Sequence, residues 1–259
     1  MYENDIMAMS TTAKNKANFM DNNMLGFFLM SMMAGAFIAL GSMLMGVVGG
    51  TFTAGGAYST KLVNGLVFAV GLCMVTSAGS ELFTGNNLVM SVGGFTKSVS
   101  WGKVVKYWVI CWIGNLVGSV LFAAIFTLTG IPGSGDIGAF FASTAAGKVA
   151  GPPMNLFTKA IFCNICVGVA IWCGTRLKSE GAKLAMCLAC VVTFVTCGFE
   201  HSVANMTFLS IGLMNQAADV AIGGVIYNLV IVTIGNVIGG VVFVALPYYL
   251  TAKAKLNKQ

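Results

Sequence analysis

Charge is scarce in this sequence. Only 8% of its 259 residues are charged, against about 25% in an ordinary soluble domain. There is one histidine and there are four prolines. With so little charge, a disordered chain and a nucleic-acid binder of the usual kind are excluded. No Walker loop, dinucleotide fingerprint or catalytic triad is present. What the chain has instead is 57% apolar residues, 33 glycines and a mean hydropathy of +0.87. This composition excludes a soluble enzyme and points to a polytopic membrane protein.

A spanning helix needs about 20 apolar residues. Continuous apolar stretches run from about Met24 to Val48, Leu62 to Gly94, Val104 to Gly130, Leu156 to Gly174, Leu184 to Leu213 and Ala221 to Leu250. Six spans put both termini on one side of the membrane. Lys14, Lys16, Lys97, Lys103, Lys106, Arg176, Lys178, Lys183, Lys253, Lys255 and Lys258 then share that side. Only Lys61, Lys148 and Lys159 fall on the other. The positive-inside rule makes the richer side cytoplasmic. The expected organisation is a cytoplasmic segment over 1–23, one membrane domain over 24–250 and a cytoplasmic tail over 251–259. The opening segment carries Glu3, Asp5 and Asp21 and no basic stretch before an apolar one, so no signal peptide is expected.

The sequence repeats itself. Gly79, Glu81 and Asn86 in span two recur as Gly198, Glu200 and Asn205 in span five with the same internal spacing. Ile113-Gly114-Asn115 with Gly118 in span three recurs as Ile234-Gly235-Asn236 with Gly239 in span six. Two halves, about 24–130 and 156–250, therefore hold three spans each, and an odd number inverts the second copy. Inverted repeats place the transport site near the midplane, where interrupted helices meet. Spans two and five are the candidates for interruption, since each carries Gly and Glu at its middle. A carboxylate at that depth must be hydrogen-bonded within the protein. Glu81 and Glu200, with Asn86 and Asn205, are read as stabilising the breaks by accepting from freed backbone N–H groups. Thr84 and Ser202 fall at or near the starts of the second half-helices, where hydroxyls cap. Those helix starts carry partial positive charge and favour an anion. The small-residue spacing Gly114 to Gly118, and Gly235 to Gly239, reads as close helix packing.

His201 stands inside the second break, beside Glu200. An ionisable side chain at bilayer depth is a functional candidate by default, and histidine changes charge near neutral pH. Its counterpart in the repeat is Leu82, so the two walls of the site differ. Lys148 lies in the segment Ile131 to Pro153 and is a candidate lure for anions at the outer vestibule. Leu82, Phe83 and Phe194 flank the breaks and are candidates for apolar constrictions. The cysteines include Cys163 with Cys166 and Cys187 with Cys190. All eight lie in expected spans, where cysteine is a small apolar residue. No metal and no cofactor are expected.

The motifs Glu81-Leu82-Phe83-Thr84-Gly85-Asn86 and Cys197-Gly198-Phe199-Glu200-His201-Ser202-Val203-Ala204-Asn205-Met206 resemble those of the formate/nitrite transporter family. The similarity covers nearly the whole chain, including Ala34-Gly35-Ala36 in span one. It implies an all-α membrane protein with six helices in an aquaporin-like 3+3 inverted repeat, interrupted in helices two and five. It also implies a homopentamer with one pore per protomer, in a bacterial-type inner membrane, with no nucleic-acid partner. The implied substrates are small monovalent anions or their conjugate acids. The resemblance makes His201 the central pore histidine, Thr84 its partner and Asn236 a further polar neighbour. It assigns Leu82 and Phe83 to the cytoplasmic constriction, Phe194 to the outer one and Lys148 to the anion-attracting field. Overall the chain looks most similar to the hydrosulfide channel branch. Gly85 after Thr84 and the short connection between spans five and six depart from the commonest formate-channel pattern. The expected function is a channel for hydrosulfide, formate or nitrite, and not an enzyme. A water- or glycerol-type channel is the alternative, since the paired Asn86 and Asn205 suit neutral solutes too.

Overall fold

A computed structural model describes residues 2–256, and the side chains of residues 2–252. Lys253, Lys255 and Lys258, part of the charge argument, lie outside the described side chains. Every regular element among the described residues is helical. Five helical stretches are long and apolar enough to cross a membrane: Met24–Ala54, Thr60–Gly79, Trp101–Leu128, Pro153–Arg176 and Ile222–Ala252. The protein is an all-α membrane protein.

Helix α1 (Glu3–Asn22) precedes the first long helix. It is amphipathic: Ile6, Met9, Ala13, Ala17 and Met20 are buried at helical spacing. The expected polar lead segment is therefore a docked element. Helix α2 (Met24–Ala54) follows, with the Asn23 side chain accepting from Gly26 N–H at its start. Span two is then divided. Helix α3 (Thr60–Met74) passes into a π-helical turn, Val75–Gly79, and the chain is extended at Ser80 before α4 (Phe83–Phe95). Helix α5 (Trp101–Leu128) completes the first half.

The second half repeats the plan with one addition. Helix α6 (Gly135–Val149) occupies most of the segment between the halves, so Lys148 is on a helix and not in a loop. Helix α7 (Pro153–Arg176) is long, whereas the next span is again divided into α8 (Glu180–Thr196) and α9 (Ser202–Met214). Helix α10 (Ile222–Gly240) continues through a π-helical turn, Val241–Ala245, into α11 (Leu246–Leu256). The last helix thus runs past residue 250, where the sequence suggested a tail.

α8 ends as a Schellman turn. Gly198 adopts φ +69, its N–H reaches Val195 O at 2.9 Å, and Phe199 N–H reaches Phe194 O at 2.9 Å. The glycine pairs of the repeat bring helices into contact. A Cβ on Gly118 would overlap the Met32 carbonyl of α2, and one on Gly239 would overlap the Ile161 carbonyl of α7. The two long helices of each half are thereby clamped together, α5 on α2 and α10 on α7. Asp5 pairs with Arg176 at 3.1 Å and Asp21 with Lys103 at 2.6 Å. The lead helix, the end of α7 and the start of α5 therefore share one end of the molecule.

Candidate functional site

The two interruptions are bridged by one asparagine each. Asn115 of α5 accepts from Phe83 N–H at 2.9 Å, and its Nδ2 donates to Glu81 O at 2.9 Å and Ser31 O at 2.7 Å. Asn236 of α10 accepts from Ser202 N–H at 2.9 Å and donates to Glu200 O at 2.9 Å and Ala160 O at 2.8 Å. Each amide thus satisfies the backbone on both sides of a break and ties it to a long helix. Both are fully buried, and an unpaired backbone group there would cost about 1–3 kcal/mol. Asn236, expected as a polar neighbour of the pore, is engaged at both ends of its amide in this clamp.

The carboxylates do something other than expected. They do not accept the freed N–H groups; those go to Asn115, Asn236 and His201. Glu81 instead receives Lys16 of α1 at 2.6 Å, Asn86 at 2.9 Å and the Tyr107 hydroxyl, all at Oε2. Glu200 receives Lys148 at 3.0 Å and Asn205 at 2.6 Å. Asn228, in the place of Tyr107, links Asn205 at 2.8 Å to the Lys148 carbonyl at 2.9 Å. The reason is charge. A low-dielectric carboxylate needs a cation as well as dipoles, and asparagine suffices for the backbone. Lys148 accordingly is not a free vestibule lysine; its ammonium is paired, and lies 5.9 Å from the centre of the Phe208 ring.

The caps also differ from the expected hydroxyls. Thr84 is the second residue of α4 and Ser202 the first of α9, and neither caps; the Ser202 hydroxyl is buried without a partner. His201 caps α9 itself, its Nδ1 accepting from Ala204 N–H at 3.1 Å. That bond assigns the ring proton to Nε2, because Nδ1 must present its lone pair. Nε2 lies 3.0 Å from Thr84 Oγ1, so the ring donates to the threonine. No described residue accepts the Thr84 hydroxyl hydrogen, which is left free to donate. His201 and Thr84 are both buried.

Phe194 lies against the other face of this pair, its ring stacked on His201 at 5.8 Å and 16°. Leu82 caps the start of α4 in the polypeptide sense and lines a vestibule of about 720 Å³ with Lys16, Glu81, Asn86 and Val75. Phe83 does not join it. Its side chain lines a separate apolar groove of about 270 Å³ with Val105, Trp108, Trp112 and Thr233, between α5 and α10. Leu82 is extended just ahead of α4 and Phe83 is the first residue of the helix, and the two side chains part there. The structure brings together Thr84, His201 and Phe194, with Leu82 on the vestibule wall and Phe83 on the separate groove.

Comparison with known proteins places this arrangement. The formate/nitrite transporter family model matches residues 3–250. The chain belongs to this family. The nitrite transporter NirC of Escherichia coli (strain K12) is 36% identical over 98% of this chain and 94% of its own length. The formate channel FocA of Haemophilus influenzae is 32% identical over 86% of each. A solved FNT family ion channel superposes with a TM-score of 0.90 at 34% identity, covering 96% of this chain and 98% of its own. A pentameric formate channel with formate bound gives 0.73 at 28% identity, covering 87% and 96%. As a member of the formate/nitrite transporter family, the protein is a membrane transport channel and not an enzyme.

The sequence had singled out Lys16 only for orientation, and Tyr107 and Asn228 not at all. The duplication held the signal. Once Glu200 has a lysine, Glu81 needs one too, and α1 is the amphipathic helix that brings it.

Proposed function

We propose that the protein is a homopentameric channel that passes small monovalent anions down their gradient, hydrosulfide foremost and formate or nitrite besides. The observation that carries the reading is the Thr84 hydroxyl, held by His201 with its hydrogen unused, two residues after the apolar Leu82 and beside the ring on which Phe194 stacks. A dehydrated anion in an apolar constriction lacks donors. Thr84 offers one there, and a donor of fixed direction favours an anion over a neutral solute. Lys16 and Lys148, one at each break, neutralise Glu81 and Glu200, so that neither carboxylate repels anions approaching the pair. Asn86, Asn205, Asn115 and Asn236, with Glu81 and Glu200, hold the breaks that present it. The two halves, about 24–130 and 156–250, form one inverted-repeat domain. In this reading the protein sits in a bacterial-type inner membrane, with 1–23 and 251–259 on the cytoplasmic side, so the Leu82 vestibule opens to the cytoplasm. The nitrite and formate channels among its relatives support anions as substrates, and the pentameric formate channel supports the assembly.

The test is flux into proteoliposomes of hydrosulfide, formate, nitrite and glycerol across external pH, for wild type and His201→Phe. Selective anion passage, with the order of anions or the pH profile altered in the variant, is the expected result. Unchanged flux and pH response in a folded His201→Phe protein would remove the histidine's role. Passage of glycerol alone would favour the neutral-solute channel.

A further inference from the structure

Two of the free cysteines meet. Cys73 on α3 and Cys187 on α8 have their sulfurs 3.8 Å apart. These helices are the leading halves of the two interrupted spans, and they lie antiparallel in contact. Gly65 faces Val192 and Thr196, Phe68 meets Phe194 edge-on at 6.0 Å, and Cys73 meets Cys187. The thiol pair sits where α3 is about to give way to the π-helical turn Val75–Gly79. Cys187 lines the vestibule, as do Val75, Thr76 and Gly79 of that turn. Cys187 is itself buried, and Cys73 is half-buried and off the vestibule wall.

A disulfide needs sulfurs about 2.05 Å apart, so joining this pair takes a closure of roughly 1.8 Å. A π-helical turn is an irregular stretch of the kind that recurs at functional sites, and here it leads directly to Ser80, Glu81 and Leu82. Movement at Cys73 therefore reaches the vestibule wall within one helical turn.

We propose that Cys73 and Cys187 form an oxidisable dithiol, whose disulfide draws the π-helical turn toward α8 and narrows the vestibule. The oxidant is a small disulfide, RSSR. The Cys187 thiolate, on the vestibule wall, attacks one sulfur of RSSR; the S–S bond breaks and RS⁻ leaves. The Cys73 thiolate then attacks the Cys187 sulfur of the mixed disulfide, forming the Cys73–Cys187 bond and expelling the second RS⁻. The two thiol protons end on the two RS⁻, giving two RSH. Two cysteines are oxidised and one RSSR is reduced. In a reducing compartment the pair stays as thiols and the vestibule stays open.

The experiment treats the full-length protein in proteoliposomes with 2-hydroxyethyl disulfide, followed by removal of the reagent. Peptide mass spectrometry is expected to find Cys73 joined to Cys187 with loss of two hydrogens. Nitrite flux is expected to fall at least about two-fold and to recover with a phosphine reductant. Cys73→Ser is expected to keep basal flux and lose the response. Failure of the linkage to form, or a reagent adduct resting on Cys187 alone, overturns the proposal. So does a linkage without a change in flux, or a loss of flux that persists in Cys73→Ser. The linkage is read without flux, so a protein that forms it but conducts no nitrite, even when reduced, fails the channel reading and not the dithiol chemistry.

Discussion

The break around Ser80–Leu82 and the break around Cys197–His201 are two copies of one device put to different ends. In each, an asparagine from a long helix spans the gap, a glutamate precedes the second half-helix, and an asparagine five residues on and a lysine from outside the span converge on that glutamate. Each lysine precedes its glutamate in sequence and comes from a helix ahead of its half: Lys16 from the lead helix, Lys148 from the helix between the halves. The copies part where Tyr107 gives way to Asn228, and more sharply at the residue after the glutamate. Leu82 is apolar and faces the vestibule, whereas His201 caps its helix and donates to Thr84 of the other copy. The lesson is that the scaffold was doubled, while the polar chemistry is joined across the halves, one partner from each.

The comparison breaks most forcefully at the glutamates. Glu81→Ala and Glu200→Ala each strand a lysine near the protein interior, and each is expected to lower stability in detergent by about 3–5 kcal/mol. Thermal denaturation followed by size-exclusion chromatography reads this. Glu81→Ala should lose more, because three donors converge on its Oε2 against two on that of Glu200; equal losses would mean that the Tyr107 hydroxyl contributes nothing. Next come the clamps. Asn115→Ala and Asn236→Ala are expected to cost about 1–3 kcal/mol for each buried backbone group left unpaired, by equal amounts if the halves are equivalent, and parallel melts of the two variants decide it.

Flux sharpens the asymmetry. Thr84→Val removes the free hydroxyl without changing shape, and a hydrogen bond to a charged species is worth about 1.5–3 kcal/mol. Anion flux should drop about ten-fold or more, alongside a loss of about 1–3 kcal/mol in stability from the His201 Nε2–H left without its acceptor. A flux that holds would place the useful donor elsewhere. The smallest effect belongs to the lysines. Lys16→Gln should slow entry from the vestibule side, and Lys148→Gln entry from the other, by about two- to five-fold at low ionic strength, with the difference shrinking as salt is added. Initial rates measured in both directions test this, and identical rates in both variants would deny the lysines any steering role.

Much of this was legible in the chain. Hydropathy marks the long helices because a membrane tolerates no unsatisfied backbone, and the spacing of Gly79-Glu81-Asn86 and Gly198-Glu200-Asn205 marks both interruptions. The packing of Gly118 and Gly239 follows from their spacing alone. Partnerships across the fold were harder. Lys16 and Glu81 are far apart in sequence, and only the docking of α1 brings them together. His201 as a cap was hidden because serine and threonine cap far more often, and here both neighbouring hydroxyls are otherwise placed. Where the Phe83 ring goes could not be read from its neighbour Leu82, because adjacency in sequence does not give adjacency in direction. Lys148 looked like a loop residue because α6 is short and rich in small side chains, which carry little periodicity.

The anchoring of α1 has a consequence for how the molecule is made. Its partners lie far along the chain: Glu81 in the second span, Arg176 at the end of α7, and Trp172 and Tyr248, whose rings meet that of Tyr2 just before the helix. Helix α1 therefore has no complete berth until α7 and α11 are in the membrane. Its seating follows theirs in assembly, and a seated α1 certifies that helices from both halves have arrived.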